Sequence, residues 1–216
     1  MNFLFNLSGA NTPLIKEYDI APDTKITHGD VVGIVDGLVG KTAVGSSVIG
    51  VAAEDHTGEK DILNARSDGD KIRVDITDGA VYSAKAPVYK VKSTSSSNTA
   101  IAVSSVGLSS SISSGYLVLR HKADDSENTD NVGDARKVSA CNISGQTATF
   151  TVSAGGTAYK DDEYVFMPEI GSDVYLDSTA RGIAAYNSAS TVKFIVVCKD
   201  DKAFTVGVKL KTTLFD

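Results

Sequence analysis

Residues 28–44, HGDVVGIVDGLVGKTAV, place an apolar run, a two-residue turn signal and a second apolar run in immediate succession. Asp36-Gly37 between apolar residues is typical of a β-hairpin turn. The stretch also contains Gly40-Lys41-Thr42, which are the last residues of a phosphate-binding loop. That loop needs a glycine where Val35 stands and a helix N-terminus afterwards, whereas another β-like run follows here. The stretch therefore predicts a hairpin and no nucleotide site.

Short β-like runs recur along the chain and are separated by clusters of Asn, Asp, Gly and Ser. The predicted strands are residues 30–35, 47–53, 71–76, 80–82, 88–92, 100–106, 116–120, 137–143, 147–152, 164–167, 173–176, 193–198 and 204–210. Regular short strands with turn residues between them are typical of barrels and sandwiches. The one modest helix candidate, residues 178–187, is weakened by Gly182. We therefore predict an all-β fold.

The composition excludes several classes of protein. The chain has 216 residues and a net charge of -6. An acidic chain is poorly suited to phosphate contacts, so no nucleic-acid partner is predicted. No run approaches the roughly 20 apolar residues of a membrane span, and the N-terminus lacks the basic start of a signal peptide. We expect a soluble protein made in a cytoplasm, with no membrane partner.

The sequence contains no recognisable motif for catalysis or metal binding. His28, His56 and His121 share no ligand spacing, and each falls in a predicted turn. No Gly-x-Ser-x-Gly elbow is present, and most carboxylates sit in turns where they keep loops soluble. Cys141 and Cys198 lie far apart, and the second is in an apolar run where a buried thiol is expected. We predict that the protein is not an enzyme and has no cofactor or metal.

Two segments at opposite ends of the chain are similar to each other. Residues 28–36 read HGDVVGIVD and residues 171–177 read GSDVYLD, and each precedes another apolar run that ends in a charged turn. Repeated units that cannot bury their apolar faces alone are expected to pair. The predicted parts are an N-terminal arm (1–24), one small β-barrel formed by both ends of the chain (25–88 and 171–216) and an inserted β-rich domain (89–170).

The inserted segment contains a Ser-rich stretch and then a polar stretch, residues 121–134. Long polar stretches between β-runs are typical of exposed loops. Four acidic residues in this stretch lack the Asp-x-Asp-x-Asp-Gly spacing of a calcium loop; they are Asp124, Asp125, Glu127 and Asp130. We predict a solvated loop there and no calcium site.

Four short motifs carry a resemblance to a known family. They are Gly29-Asp-Val-Val32, Val48-Ile-Gly-Val-Ala-Ala-Glu-Asp55, Lys71-Ile-Arg-Val-Asp75 and Gly171-Ser-Asp-Val-Tyr-Leu-Asp177. With them, residues 25–88 and 171–216 resemble the small β-barrel decoration (head cement) proteins of tailed bacteriophages, except that Ser172 stands where the family has Asp. The resemblance implies a structural virion protein, often trimeric, that binds the outside of the capsid and stabilises the shell. The segment 89–170 departs from the compact family pattern.

The resemblance makes the N-terminal arm the candidate for binding the major capsid protein. Its apolar side chains follow no clear period; they are Phe3, Leu4, Phe5, Leu14 and Ile15. A loose arm of this kind would add a strand to the edge of a capsid sheet. The alternative is that these residues form an edge strand of the protein's own barrel.

Two other function classes remain open. The first is a carbohydrate-binding or adhesion module on a virion or cell surface, with weak glycan binding by the inserted domain. Its available aromatic residues are Tyr89, Tyr116, Tyr159 and Tyr164, although alternation favours core packing for most of them. An exposed planar row of tyrosines would favour this class. The second is a tail component, because tail tube and baseplate proteins are also small β-barrels with long inserted loops.

Overall fold

The computed structural model describes residues 1–6, 12–20, 24–42, 47–56, 71–124, 126–177, 181–188, 190 and 192–211. Within these ranges every regular element is a β-strand, and the all-β prediction is confirmed. The weak helix candidate is wrong for the part of it that is described, since Ile183–Ala184 is a strand. The strands are β1 Asn2–Asn6, β2 Ile15–Asp19, β3 Val31–Val35, β4 Leu38–Lys41, β5 Ser47–Ala52, β6 Lys71–Asp75, β7 Ala80–Lys85, β8 Val88–Lys90, β9 Ala100–Ser104, β10 Tyr116–His121, β11 Ala135–Ser144, β12 Thr147–Val152, β13 Glu163–Met167, β14 Asp173–Leu176, β15 Ile183–Ala184, β16 Lys193–Asp200 and β17 Thr205–Leu210.

Five strands from the first third of the chain form a curled sheet in the order β2-β6-β5-β3-β4. Its two edges approach each other at one parallel bridge between Ile20 and Val39, so the sheet is a partly closed barrel. Neighbouring residues of a strand point to opposite faces, which puts Val32 inside and Val31 outside. We call this part the N-terminal barrel. Its interior is apolar and consists of Ile20, Ile26, Val32, Val39, Ile49, Ala52, Ile72 and Val74.

The hairpin predicted at Asp36-Gly37 is confirmed. Val35 at the end of β3 lies opposite Leu38 at the start of β4. The two residues between them have φ angles of 52° and 83°. Two consecutive positive φ angles are typical of a type I′ turn, whose twist matches that of the flanking strands. Lys41 of the Gly-Lys-Thr run is the last residue of β4, so this run lies at the end of a strand.

Replacing Gly37 by alanine is expected to lower the free energy of unfolding by about 1 kcal/mol, because an L side chain is strained in the left-handed region. No atom would lie within 4 Å of the new methyl group, so the cost is one of backbone conformation alone. Urea denaturation measures this change. Gly40→Ala is the matched control, since Gly40 has equally open surroundings without a positive φ. Equal losses in the two variants would contradict the turn assignment.

The second sheet unites the two ends of the chain, in the order β1-β7-β17-β16-β14-β15. We call it the central sheet. Strand β7 pairs with β17, with Tyr82 opposite Val208. The inner face of the central sheet packs on the outside of the N-terminal barrel, where Val31, Val48 and Val51 contribute to one shared core.

The sequence predicted that the two chain ends close one small barrel. In the structure they meet in the central sheet, and the N-terminal barrel contains no strand from the C-terminal part. Strand β6 already has β2 on one side and β5 on the other. Since a strand has only two edges, β7 cannot continue that sheet and pairs with β1 and β17 instead. The result is a barrel built from the first third of the chain and a separate sheet that both chain ends share.

Residues 88–167 supply the third sheet, in the order β8-β13-β10-β11-β12-β9. Its edges also meet, through a bridge between Val91 and Val103 and a hydrogen bond from the Lys92 N–H to the Ala102 carbonyl at 2.9 Å. We call it the inserted barrel.

Inside the inserted barrel, the rings of Phe150 on β12 and Phe166 on β13 stack with centroids 5.6 Å apart. The outer face of β10 and β13 packs against the central sheet through Val118, Val165 and Met167.

The burial of the two cysteines is not as predicted. Cys141 lies in the core of the inserted barrel, whereas Cys198, which was expected to be buried, is only half-buried. The reason is a β-bulge after Val196, which breaks the alternation of β16. Burial raises the pKa of the Cys141 thiol to about 11.

We expect iodoacetamide at pH 8 to label Cys198 much faster than Cys141 in the folded protein, because the thiolate is the reactive species. The folded state holds the Cys141 proton more tightly than the unfolded chain, whose thiol pKa is 9.0. The stability from this thiol is therefore complete below about pH 9 and is lost as the pH rises towards 11.

Mass spectrometry of samples taken at successive times measures the labelling rate of each cysteine. Equal labelling rates without denaturant would contradict the assignment.

Candidate functional site

Strand β1 presents an open and uncharged edge. It pairs with β7 on one side, and no described strand lies on its other side. Its residues, NFLFN, include no charge and no proline, two of the features with which natural proteins protect exposed edges. The pairing with β7 shifts register once, between Phe3 and Phe5. The Leu4 side chain is 47% exposed. Phe3 and Phe5 take part in the strand through their backbone, and their side chains lie outside the described part of the structure.

Strand β2 is the second N-terminal edge strand. The residue before it, Leu14, is held by two hydrogen bonds: its N–H donates to Thr77 Oγ1 at 2.6 Å, and its carbonyl accepts from the Ile76 N–H at 2.9 Å. The side chains of Leu14 and Ile15 are both exposed. Unlike β1, this strand carries three charged and exposed residues, which protect its edge.

Strand β1 ends and strand β2 begins beside the same turn, residues 76–79, which connects β6 to β7. Asn6 at the end of β1 lies opposite Ala80, and Leu14 is bonded to Thr77. The structure therefore brings the two groups of predicted site residues to one region of the surface, although they are separated in sequence.

The expectation of a loose arm is wrong for residues 2–6 and 15–19. The alternative holds there, because both segments are edge strands of the protein's own sheets. The physical reason is that β6 and β7 each have one edge that the later strands leave open. The N-terminal residues fill these edges and make the main-chain hydrogen bonds that β6 and β7 would otherwise lack.

Most other sheet edges in the described ranges are closed, short or charged. The N-terminal barrel is bridged at Ile20 and Val39, and the inserted barrel at Val91 and Val103. At the far end of the central sheet, β15 has only two residues. Strand β1 is thus the longest uncharged edge that is open to a partner.

The four tyrosines of the inserted barrel do not form an exposed row. Tyr89 and Tyr164 lie in its core, as alternation favoured. Tyr159 is half-buried. Tyr116 is also half-buried and lies under the Lys199 ammonium group, whose Nζ is 4.6 Å from the ring centroid. These four residues therefore do not form the exposed row of tyrosines that would favour a glycan-binding surface on this barrel.

The polar stretch 121–134 is anchored to the inserted barrel by a buried hydrogen-bond network. The Nδ2 group of Asn128 donates to Asp162 Oδ2 and to the Tyr164 hydroxyl, both at 3.0 Å. Asp162 is fully buried and accepts two main-chain N–H bonds as well, at 2.9 and 3.0 Å. Burial raises the pKa of the Tyr164 hydroxyl, while the bond from Asn128 opposes this shift. The network is structural, because each of its buried polar groups has a partner.

The prediction of a wholly solvated loop is therefore wrong in part. Asp124 and Glu127 are exposed as expected, and Asp125 lies outside the described residues. Asp130, in contrast, forms an ion pair with the buried Arg136. Sequence reasoning missed this pair because the loop reads as uniformly polar. Arg136 stands next to Lys137 and just before the predicted run 137–143, so its local pattern does not mark it as buried.

The described residues hold no group of three or more His, Cys, Asp or Glu side chains that could bind a metal ion. The His56 ring shares a hydrogen bond with the main-chain carbonyl of Thr24 at 2.9 Å. His28 donates its main-chain N–H to Asp55. The part of the chain that is described includes no helix that could cross a membrane.

Comparisons with known protein families, with curated proteins and with solved structures found no match for this chain. The candidate site consists of the open edge of β1, the exposed Leu4 on that strand, and the exposed pair Leu14 and Ile15 beside the turn that connects β6 to β7.

Proposed function

We propose that this chain is a structural virion protein that binds the outer surface of a phage capsid lattice and stabilises the shell. The observation that carries the proposal is the open edge of β1, which is uncharged and carries an exposed leucine. An uncharged open edge is a site for pairing with another chain. A strand of the major capsid protein would extend the central sheet from this edge.

The surroundings of β1 favour a protein surface as the partner. An added strand would form main-chain hydrogen bonds to β1, and pockets for alternate side chains would give specificity. Leu14 and Ile15 add exposed apolar area beside the turn at which β1 ends. The net charge of -6 suits a position on the shell exterior, away from packaged DNA.

Shell stabilisation follows from mass action. A protein that binds only the expanded lattice lowers the free energy of that state, and many copies multiply the effect. A homotrimer on the lattice would engage neighbouring capsid subunits together, so that modest contacts at each β1 edge add up through avidity. The inserted barrel would then project outwards from the shell.

The test is to mix the purified protein with empty shells assembled from the major capsid protein of the same genome, before and after expansion. Sedimentation of the shells followed by gel electrophoresis measures the bound fraction. We expect binding to the expanded shells only, and a rise in the temperature at which those shells dissociate. Binding to neither form of shell would contradict the proposal, and binding to tail tubes in its place would favour the tail alternative.

Leu4→Lys is the decisive variant, because a charge on an edge strand opposes strand addition. We expect it to weaken binding to expanded shells at least tenfold, which corresponds to about 1.4 kcal/mol. Val132→Lys is the matched control, since Val132 is 58% exposed on a loop of the inserted barrel. That control should bind like the unmodified protein. Equal binding by both variants would show that β1 is not the docking edge.

A further inference from the structure

Two depressions flank Tyr186 where the central sheet meets the inserted barrel. The larger has a volume of about 650 Å³ and is lined by Val88, Val106, Asp177 and Asn187 among others. A groove of this size is in the range of small-molecule sites, which combine apolar walls with a few polar groups. Tyr186 forms part of its wall.

The smaller depression has a volume of about 190 Å³ and lies on the other side of the same tyrosine. Its lining includes the serine residues Ser111 and Ser113, the carboxylate of Asp173 and the ring of Tyr175. The rings of Tyr175 and Tyr186 meet edge to face, with centroids 5.3 Å apart. Because Tyr186 lines both depressions, we call them together the trough; Tyr175 lines only its smaller part.

The side chains of the trough are held in place before any ligand binds. The Tyr186 N–H donates to the Gly107 carbonyl at 3.0 Å, which ties its segment to the inserted barrel. The Asn187 amide donates to the Leu176 carbonyl at 2.8 Å. Groups with a preset orientation bind a ligand at a lower entropic cost than mobile groups do.

The chemistry of the trough matches a neutral sugar. Aromatic rings offer flat apolar faces, while carboxylate, amide and hydroxyl groups accept or donate the directional hydrogen bonds that sugar hydroxyls make. Asp177 and Asp173 line the trough together with Lys85, and Asp173 is paired with the Lys211 Nζ at 2.7 Å, so the trough itself is nearly balanced in charge. The net charge of -6 of the whole chain disfavours acidic glycans. Two depressions that share a tyrosine and each contain polar groups suit several linked rings better than one.

We propose that the trough across Tyr186 binds a short neutral oligosaccharide, with a sugar ring stacked on the ring of Tyr186. The site lies on the central sheet and its junction, and it does not use the four tyrosines of the inserted barrel. It also does not involve β1, so it is independent of the proposed binding to a capsid.

The experiment is saturation-transfer NMR on the full chain with maltohexaose, cellohexaose, mannohexaose and xylohexaose at millimolar concentration, and with hexagalacturonate as the acidic probe. We expect transfer to at least one neutral hexasaccharide and none to hexagalacturonate. Tyr186→Ala should weaken the neutral interaction at least tenfold. Tyr186→Phe should stay within about threefold of the unmodified protein, because it keeps the ring.

Tyr159→Ala is the control, because Tyr159 is a half-buried tyrosine of the inserted barrel that does not line the trough. It should leave sugar binding unchanged. Asp177→Asn provides a second test if Tyr186→Ala does not fold, and it should weaken binding severalfold; circular dichroism checks that this variant is folded. Absence of binding to all four neutral probes, stronger binding of hexagalacturonate, or unchanged binding in the folded trough variants would overturn the proposal.

Discussion

Replacing Arg136 by alanine is expected to lower the free energy of unfolding by about 3–5 kcal/mol, the range for breaking a buried ion pair. The Arg136 side chain is only 3% exposed. Its guanidinium pairs with Asp130, with Nε 2.6 Å from Oδ2, and also donates to the main-chain carbonyls of Gly156 and Asn98. Without the guanidinium, the Asp130 carboxylate loses its charge partner and the two carbonyls lose a hydrogen-bond donor. Urea denaturation followed by circular dichroism measures the loss.

Lys90→Ala is the matched control for this prediction. Lys90 also pairs with a carboxylate of the inserted barrel, Glu163, but its side chain is 66% exposed. Water solvates such a pair well, so we expect a loss below about 1 kcal/mol. If Arg136→Ala cost no more than Lys90→Ala, the buried pair would not be what anchors residues 121–134. Limited proteolysis of the Arg136 variant should also cut first within those residues.

A second large effect is expected for Phe150→Ala, at about 3–5 kcal/mol, the usual cost of truncating a fully buried phenylalanine. Phe150 lies at the centre of the inserted barrel, stacked on Phe166 and 6.4 Å from the ring of Tyr89. The closed barrel leaves its neighbours little freedom to fill the cavity. Guanidinium denaturation monitored by tyrosine fluorescence measures this change.

Ile143→Ala controls for the loss of a large apolar side chain from the same hairpin. Ile143 is on β11, which pairs with β12, but its side chain faces outwards and is exposed. We expect a loss below about 1 kcal/mol, as for most surface substitutions. Comparable losses at Ile143 and Phe150 would mean that the interior of the inserted barrel does not carry its stability.

Apolar alternation was sufficient to locate most strands. All the predicted runs are strands, and residues 147–152 and 173–176 have the predicted bounds. The list of predicted runs omits β1, β2, β4 and β15. The predicted hairpin implies β4, and edge strands were the alternative to a loose arm for β1 and β2. Asn2–Asn6 has no readable period, and its pairing partner β7 lies more than 70 residues away in the sequence. Local pattern carries no information about such a partner.

The buried polar groups were equally hidden. Asn128, Asp130 and Asp162 occur in stretches that read as solvated loops, and only the folded chain places them around Arg136 and Tyr164. The pair Tyr175 and Tyr186 was missed for a similar reason. The two rings come from different segments, and nothing in their spacing indicates that they meet.

Most of the β-strands and the hairpin turn at Asp36-Gly37 could be predicted from the sequence, because they depend on neighbouring residues, and the net negative charge follows from composition. The tertiary structure alone decided which strands pair, that the chain ends share a sheet without closing a barrel, and which polar residues are buried. The physical reason is that each strand has two edges that any other strand can fill. The choice among partners depends on contacts between residues that are far apart in the chain.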